Sequence, residues 1–249
     1  MATDLVTFEL VDGIASLTMN RPEARNALSL ALIRAMRDAV QRAANEPAAR
    51  VLVIGGAGPV FCAGMDLKAV ADDPVAMGEM LRELSRVTRT IRRLPIPTIA
   101  RVQGAAVGGG CGLMVVCDFA LTHPEAKVGY PEVDLGICPA VVAPWLVRKL
   151  GAGRARAMLL AGGTMTGEAG FNAGLATHLV PLAQLESATA TLAKRLLTGG
   201  PKALAATKRW LNELDGSVED DVLDRAAEIS AAIIAGDEAQ SRLRAVLKP

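Results

Sequence analysis

One glycine-rich segment decides the fold of this chain, and it reads Gly104-Ala105-Ala106-Val107-Gly108-Gly109-Gly110-Cys111-Gly112. Residues 98–102, which precede it, form a short, mainly apolar run that predicts a buried strand. Residues 113–117, which follow it, are continuously apolar and predict a buried helix. Because glycine has no side chain, backbone N–H groups in such a turn can approach a ligand closely, and the helix N-terminus adds positive potential there.

Strands also alternate with helices toward the N-terminus. Residues 6–10 and 15–19 alternate apolar and polar side chains around Asp12-Gly13, which predicts a β-hairpin. A helix capped by Ser29 follows, and residues 51–54 form an apolar run typical of a strand covered on both faces. A second helix is predicted over 77–91 and ends before Pro95. This alternation indicates an α/β layered core with crossover connections.

Beyond Val141 the pattern is almost entirely helical. The predicted helices cover residues 141–150, 154–161, 182–197, 201–213, 218–235 and 237–247. The best candidate linker is Thr198-Gly199-Gly200-Pro201, because glycine ends one helix and proline opens the next. We therefore expect a core over residues 1–197 and a C-terminal helical region over residues 198–249.

The composition excludes several classes of protein. The 249 residues are 51% hydrophobic and carry 27 basic and 26 acidic side chains, which excludes disorder and the basic field of a nucleic-acid-binding protein. The four cysteines form no C-x-x-C pair and the 2 histidines are far apart, so no metal site is expected. The longest apolar run is too short to cross a bilayer, and residues 1–9 do not read as a signal peptide. We expect a cytoplasmic protein in a reducing compartment, without nucleic-acid or membrane partners.

A second loop has the same sequence pattern as the glycine-rich segment, and it reads Phe61-Cys62-Ala63-Gly64-Met65-Asp66-Leu67. In both, a strand ends, glycine removes the side chain, and a helix begins nearby. Two backbone N–H groups that converge from these loops would form an oxyanion hole, a site that stabilises negative charge on an oxygen. Either loop alone is equally typical of tight packing at the entrance to a buried helix.

Four segments together are more specific than either loop. In chain order they are Asn20-Arg21-Pro22-x-x-Arg25-Asn26-Ala27-Leu28, the loop at 61–67, the glycine-rich segment, and Pro131-Glu132-Val133-x-Leu135-Gly136-Ile137. Their order and spacing resemble the crotonase superfamily of enoyl-CoA hydratases and isomerases over nearly the whole chain. The resemblance implies a crotonase-like spiral of ββα units with a C-terminal helical trimerisation region, and homotrimers that often pair as hexamers. It also implies an acyl-CoA thioester substrate, with coenzyme A as part of the substrate and no separate cofactor.

The resemblance further implies which residues form the site. The main-chain N–H groups of Met65 and Gly109 would bind the thioester oxygen, and Glu132 would be the catalytic base. The residues that it implies for binding the substrate and its CoA portion are Arg25, Ala27, Leu28, Ala63, Asp66, Leu67, Lys68 and Gly108. Taken alone, Asp66 also fits a charge that stabilises a helix N-terminus, and Lys68 also fits a solvated surface charge.

The number of glutamates bears on the reaction. Removing the α-proton of a thioester puts negative charge on its carbonyl oxygen, so fixed donors there stabilise the enolate-like state. Family hydratases resemble one another in having two glutamates, of which the first matches Gly112 here and the second matches Glu132. One carboxylate suffices to move a proton from C2 to C4 of a 3-enoyl thioester, so double-bond isomerisation is favoured. Hydration of a 2-enoyl-CoA and a catalytically decayed CoA-thioester-binding protein remain the alternatives.

Two further features of the sequence bear on this choice. Asp134 would point the same way as Glu132 if that stretch were extended, so it is the reserve candidate for the base. Many family members carry Pro-Gly-x-Gly-Gly where this chain has the bulkier Val141, Val142, Pro144 and Trp145. We expect these side chains to narrow and dry the acyl pocket, which suits proton transfer better than water addition.

Overall fold

Two β-sheets lie at the centre of the protein, whose computed structural model describes residues 4–70 and 73–247. Residues 1–3 of the N-terminal segment and residues 248–249 of the C-terminal region lie outside the described residues. The strands are β1 (Val6–Val11), β2 (Ile14–Met19), β3 (Val51–Gly56), β4 (Thr98–Arg101), β5 (Ala106–Val107), β6 (Phe119–Thr122), β7 (Lys127–Gly129), β8 (Thr164–Thr166) and β9 (His178–Leu179). The larger sheet has the order β1-β2-β3-β4-β6-β9, and the smaller one has the order β5-β7-β8.

Helices cover the sheets and form the C-terminal part of the chain. They are α1 (Leu30–Asn45), α2 (Pro74–Arg93), α3 (Gly109–Val116), α4 (Ala143–Leu150), α5 (Ala152–Ala161), α6 (Gly167–Ala173), α7 (Leu185–Leu197), α8 (Pro201–Leu214), α9 (Asp220–Ile234) and α10 (Asp237–Leu247). The helix predicted from 141 begins two residues later because Val142 and Ala143 donate to the carbonyl of Pro139 in a turn.

The N-terminal elements form where the sequence predicts them. β1 and β2 pair as an antiparallel hairpin whose turn, Asp12-Gly13, has positive φ at both residues, +49° and +82°. The Ser29 side chain accepts from the N–H of Leu32 and so caps α1. From β2 onward the large sheet is parallel, which requires the helical crossovers that the alternating pattern indicates. The predicted α/β core with a helical C-terminus is confirmed.

The smaller sheet positions the glycine-rich segment. β5 lies inside that segment and pairs with β7, and β7 pairs with β8. These strands have two or three residues each, so they are too short to leave an alternating pattern in the sequence. They nevertheless bring the start of α3 beside the chain that follows β7.

The C-terminal helices share the main hydrophobic core. Leu223, Ala227 and Ile234 of α9 are buried in the same cluster as the strands and α2. Arg82 of α2 also donates two hydrogen bonds to the carboxylate of Glu228, at 2.7 and 2.9 Å. α9 is therefore fixed against α2 by both apolar packing and ion pairs. No helix within the described residues combines the length and the apolar character needed to cross a membrane.

Candidate active site

The two glycine loops lie side by side. The N–H of Cys62 donates to the carbonyl of Ala105 at 2.9 Å, and the N–H of Val107 donates to the carbonyl of Cys62 at 3.1 Å. These bonds form a parallel bridge between Cys62 and Ala106. The loops meet although about forty residues separate them in the chain, because β3 and β4, which lead into them, are adjacent parallel strands.

Glycine makes this close approach possible. A Cβ atom on Gly110 would overlap the carbonyl oxygen of Cys62 and would lie 2.8 Å from its Cβ. A Cβ on Gly64, whose φ is +97°, would lie 2.9 Å from the carbonyl oxygen of Val107. Larger residues at either position would push the two loops apart, so glycine here sets the spacing of the backbone groups.

Two backbone donors remain available where the loops meet. The bridge between Leu28 and Met65 uses the Leu28 N–H, which donates to Gly64 O at 2.8 Å, and the Asp66 N–H, which donates to Leu28 O at 3.0 Å. The Met65 N–H lies between these bonds and has no backbone acceptor among the described residues. Gly109 is the first residue of α3, so its N–H also has no acceptor within the helix. The start of α3 adds positive potential at this point.

The carboxylate of Glu132 lies beside these donors. A short 3-10 helix over Glu132–Leu135 follows β7 and Pro131, and the Glu132 side chain lies against the glycine-rich segment. The Glu132 Oε1 atom lies 3.0 Å from where a Cβ on Gly108 would be. Gly108 has φ +55° and ψ −122°, a conformation that only glycine adopts readily. Glycine at this position therefore gives the backbone its turn and leaves space for the carboxylate.

Burial changes the acidity of Glu132. Its Oε2 atom is buried and has no hydrogen-bond partner among the described residues. Removal from water raises the pKa of this carboxyl from 4.5 to about 7, while a backbone hydrogen bond has a smaller, opposite effect. A carboxylate with a pKa near neutrality can both accept and return a proton, which is what a general acid–base catalyst requires.

An apolar pocket surrounds these groups. It encloses about 610 Å³ of empty space, including its open mouth. Its wall comes from both loops, the 131–142 segment, α2 and α9, and Glu132 carries the only carboxylate among the described residues that line it. A weak carbon acid bound here would therefore meet two N–H donors and one base in a largely dry site.

Val142 occupies the space beside Gly112. A Cβ atom on Gly112 would lie only 2.5 Å from Cγ1 of Val142, and Val142 lines the pocket. No side chain can therefore be placed on residue 112 unless Val142 moves. Val141 also lines the wall, as expected, whereas Pro144 and Trp145 are not among the described lining residues, so the expectation that they narrow the pocket is not supported.

A serine from α9 holds the same segment in place. The Ser230 hydroxyl donates to the carbonyl of Cys138 at 3.0 Å and accepts from the N–H of Val141 at 3.2 Å. The Trp145 indole N–H donates to the Thr88 hydroxyl of α2 at 3.1 Å. The shape of the pocket thus depends on contacts among segments that are distant in the sequence.

The structure places some of the predicted substrate-binding residues in the pocket wall and others outside it. Ala63, Met65, Leu67, Gly108, Gly109 and Glu132 line the pocket. Arg25 and Lys68 are exposed, whereas Leu28 is fully buried and holds the loop at 61–67 through its main chain. Ala27 and Asp66 are both bound by Arg21, which donates to the Ala27 carbonyl at 2.7 Å and to the Asp66 carboxylate at 3.0 Å.

Asp134 does not share the position of Glu132. The stretch is a 3-10 helix rather than an extended strand, so residues two apart do not point the same way. The Asp134 carboxylate is outside the pocket wall and accepts from the N–H of Gly163 at 2.9 Å. The condition under which Asp134 would be a reserve base is not met, and Asp134 has a structural role. Within the described residues no group of three or more His, Cys, Asp or Glu side chains is placed to hold a metal ion.

Sequence reasoning missed four residues of the pocket wall. They are Leu81 and Leu84 of α2 and Ser230 and Ile234 of α9. The helical periodicity of these segments predicts that one face is buried, but it carries no information about what that face covers. Only the packing of α9 against α2 reveals that both helices border the site.

The chain is similar to known proteins in sequence and in fold. A family described as enoyl-CoA hydratase/isomerase matches residues 9–245. A Pseudomonas fluorescens protein named hydroxycinnamoyl-CoA hydratase-lyase is 39% identical over 210 residues, 82% of this chain and 76% of that protein. The enoyl-CoA isomerase/hydratase fer4 of Mycosarcoma maydis is 34% identical over 207 residues, 79% of this chain and 76% of that protein. The crystal structure of an enoyl-CoA hydratase from Mycobacterium avium superposes with a TM-score of 0.87 at 31% identity, covering 99% of this chain and 97% of that one.

Proposed function

Because the chain belongs to the enoyl-CoA hydratase/isomerase family, a crotonase-superfamily group that acts on acyl-CoA thioesters, we propose that it isomerises 3-enoyl-CoA to 2-enoyl-CoA. The observation that carries the proposal is the pair Glu132 and Val142. Glu132 is the one carboxylate in the described pocket wall, and Val142 fills the space beside Gly112, the position that the resemblance matches to the first of the two hydratase glutamates. Water addition uses both of those carboxylates, whereas a shift of a proton needs only one.

The proposed reaction moves one proton and shifts one double bond. Ionised Glu132 takes a proton from C2, and the C–H electrons form a dienolate that extends from the thioester oxygen to C4. The N–H groups of Met65 and Gly109 donate to that oxygen as its negative charge develops. Protonated Glu132 then gives the proton to C4, the double bond settles between C2 and C3, and the thioester carbonyl is restored. The carboxylate ends in its starting state, so no other reactant is consumed.

The pKa of Glu132 supports this proton return. A base with a pKa far below 7 would bind the C2 proton too weakly, and one far above 7 would hold it too tightly for delivery to C4. The value of about 7, which results from burial, lies between these limits. Neither step requires a metal or a redox group, so we propose that the enzyme needs no cofactor apart from the CoA of its substrate.

Separate assays with a 3-enoyl-CoA and with crotonyl-CoA test the reaction. We expect the first to gain the absorbance of a conjugated thioester, and the second to be stable. Rapid loss of that absorbance from crotonyl-CoA, with no reaction of the 3-enoyl substrate, would contradict the proposal. Exchange of deuterium at C2 by the wild type, and not by Glu132→Gln, would establish proton abstraction whatever the product.

Hydration is the second candidate function. Several relatives are named as hydratases, among them the crotonyl-CoA hydratase of Syntrophomonas wolfei at 33% identity. In that case Glu132 would activate water alone. If the unmodified protein binds acyl-CoA and turns over no enoyl-CoA, a thioester-binding protein is the remaining explanation, and Glu132→Gln would then leave its behaviour unchanged.

We also propose that the chain forms homotrimers, alone or paired as hexamers, in the cytoplasm. Trp210, Leu211 and Leu214 of α8 expose more than half of their surface, which is unusual for large apolar side chains on one short stretch. The free cysteines fit a reducing compartment. Light scattering should give the mass of three or six chains, and a monomer would contradict the proposed assembly.

A further inference from the structure

We propose that the pocket selects hydrocarbon acyl groups that carry no hydroxyl or other hydrogen-bonding substituent. This inference rests on the proposed function, since it takes the pocket as the acyl site of a CoA thioester. It differs from what the name of the Pseudomonas fluorescens relative states, because a hydroxycinnamoyl group carries a phenolic hydroxyl. The reason lies in the polar groups of the wall and in how they are already used.

Aliphatic side chains make most of the wall beyond the catalytic groups. They include Leu67, Leu81, Leu84, Leu135, Ile137, Val141, Val142 and Ile234. Among the described lining residues, the side chains that contain oxygen, nitrogen or sulfur are those of Glu132, Met65, Cys138 and Ser230. Sulfur is a weak hydrogen-bonding atom, so Glu132 and Ser230 are the only strong hydrogen-bonding side chains among the described lining residues.

Neither of these two side chains is available to a distant hydroxyl. Glu132 lies against Gly108, next to the oxyanion donors, so in the proposed reaction its carboxylate is engaged with C2 and C4 and not with the end of the acyl chain. The Ser230 hydroxyl donates its single proton to the carbonyl of Cys138 and accepts a hydrogen bond from the N–H of Val141. It is almost fully buried, and its donor is committed to the loop. Ser230 therefore holds the wall together: it has no proton left for a ligand, and because the residue is 1% exposed, the second lone pair of its oxygen offers a ligand hydroxyl almost no surface.

A polar substituent on the acyl group would lose its hydrogen bonds to water when bound. Burying a hydroxyl without a partner typically weakens binding by about tenfold or more. An unsubstituted chain loses nothing of this kind and gains from the removal of its surface from water. The pocket should therefore select unsubstituted acyl groups because hydroxylated ones bind more weakly, without any contact that recognises the preferred chain.

Competition binding with saturated thioesters tests the inference without any turnover. Two matched pairs differ by one hydroxyl each: hexanoyl-CoA with 6-hydroxyhexanoyl-CoA, and 3-phenylpropanoyl-CoA with 3-(4-hydroxyphenyl)propanoyl-CoA. We expect the hydroxylated member of each pair to bind about tenfold more weakly or worse. Equal or tighter binding of the hydroxylated members would overturn the inference.

The outcomes separate this inference from the proposed function. If the hydroxylated thioesters bind more weakly than their partners and no 3-enoyl-CoA is isomerised, the selectivity stands and the proposed isomerase reaction is wrong. If isomerisation occurs and the two members of each pair bind equally, only the selectivity is wrong. Failure of every thioester to bind would overturn both.

A variant of the wall provides a second measurement. Ser230→Ala frees the carbonyl of Cys138, which can then accept a hydrogen bond from a ligand hydroxyl. The difference in affinity between the two thioesters of each pair should therefore shrink at least threefold. Ser187→Ala is the matched control, because Ser187 is an exposed serine of α7 that donates only to the carbonyl of Gln184. In that control the difference in affinity within each pair should be unchanged. Should Ser230→Ala fail to fold, the wild-type pairs remain decisive.

Discussion

A Cβ atom on Gly112 would lie 2.5 Å from Cγ1 of Val142, so the two positions are mutually exclusive for larger side chains. Real Cβ atoms essentially never approach a neighbour this closely. A side chain at 112 and the branched side chain at 142 therefore cannot occupy this space together. Glu132 is the only carboxylate in the described wall of the pocket.

Activity should depend on the ionisation of Glu132. Because the base acts in its ionised form and burial raises its pKa to about 7, kcat/KM should rise with pH and reach half its maximum near pH 7. Below that point it should fall by up to about tenfold per pH unit. The measurement is the initial rate of 3-enoyl-CoA isomerisation from pH 5 to 9. A midpoint near 4.5 would show that the carboxyl is solvated.

Removal of the base should abolish turnover and leave binding intact. Glu132→Gln keeps the shape of the side chain and removes its basicity, so we expect a loss of kcat of about 10²–10⁴ with thioester affinity nearly unchanged. Asp134→Asn is the matched control, since this carboxylate is exposed and bonds to Gly163 instead. A similar loss in both variants would contradict the assignment.

Glu132→Gln should also stabilise the fold at alkaline pH. Between pH 4.5 and about 7 the unfolded chain has released the Glu132 proton while the folded chain still holds it, so wild-type stability falls as pH rises. Glu132→Gln removes this cost, and the free energy of unfolding at pH 8 should increase by about 1–3 kcal/mol. At pH 4, where both states are protonated, the gain should vanish. Urea titrations at the two pH values measure it.

A carboxylate at position 112 should be tolerated only when Val142 is reduced. Gly112→Glu alone overpacks the pocket and should lower the free energy of unfolding by about 1–3 kcal/mol. In the double variant Gly112→Glu/Val142→Gly the space is vacated, and we expect stability to recover in part and hydration of crotonyl-CoA to appear. Hydration by the wild type at an equal rate would show that Val142 does not select the reaction.

The spacing of the oxyanion donors should depend on Gly110. Gly110→Ala would force its new methyl group against Cys62 and separate Met65 from Gly109, so kcat/KM should fall by about 10²–10³, as for the loss of one donor.

Gly153→Ala in α5 is the control for this substitution. A Cβ there meets nothing within 4 Å, and the change should stabilise the helix by about 0.5–1 kcal/mol without affecting the rate. Equal activity of Gly110→Ala and wild type would refute the role of the loop spacing.

The sequence predicted the main elements because their signals are local. The Asp12-Gly13 turn, the Ser29 cap and the apolar run at 51–54 each reflect a preference of a few neighbouring residues, and the structure contains all three features. The strands β5, β7 and β8 were missed because two or three residues show no period. Asp134 was misjudged because its direction depends on whether the backbone coils or extends.

The amino-acid order by itself determined the α/β core, the two glycine loops and the presence of a single glutamate in the Pro131-Glu132 segment. These follow from residue types at fixed spacing, and such information is present in any linear reading of the chain. Only the tertiary structure decided that Val142 blocks position 112, that Ser230 of α9 fixes the wall, and that Glu132 is buried enough to titrate near neutrality. Contact distance, saturation of hydrogen bonds and removal from water are properties of groups brought together from distant parts of the chain, and no local pattern records them.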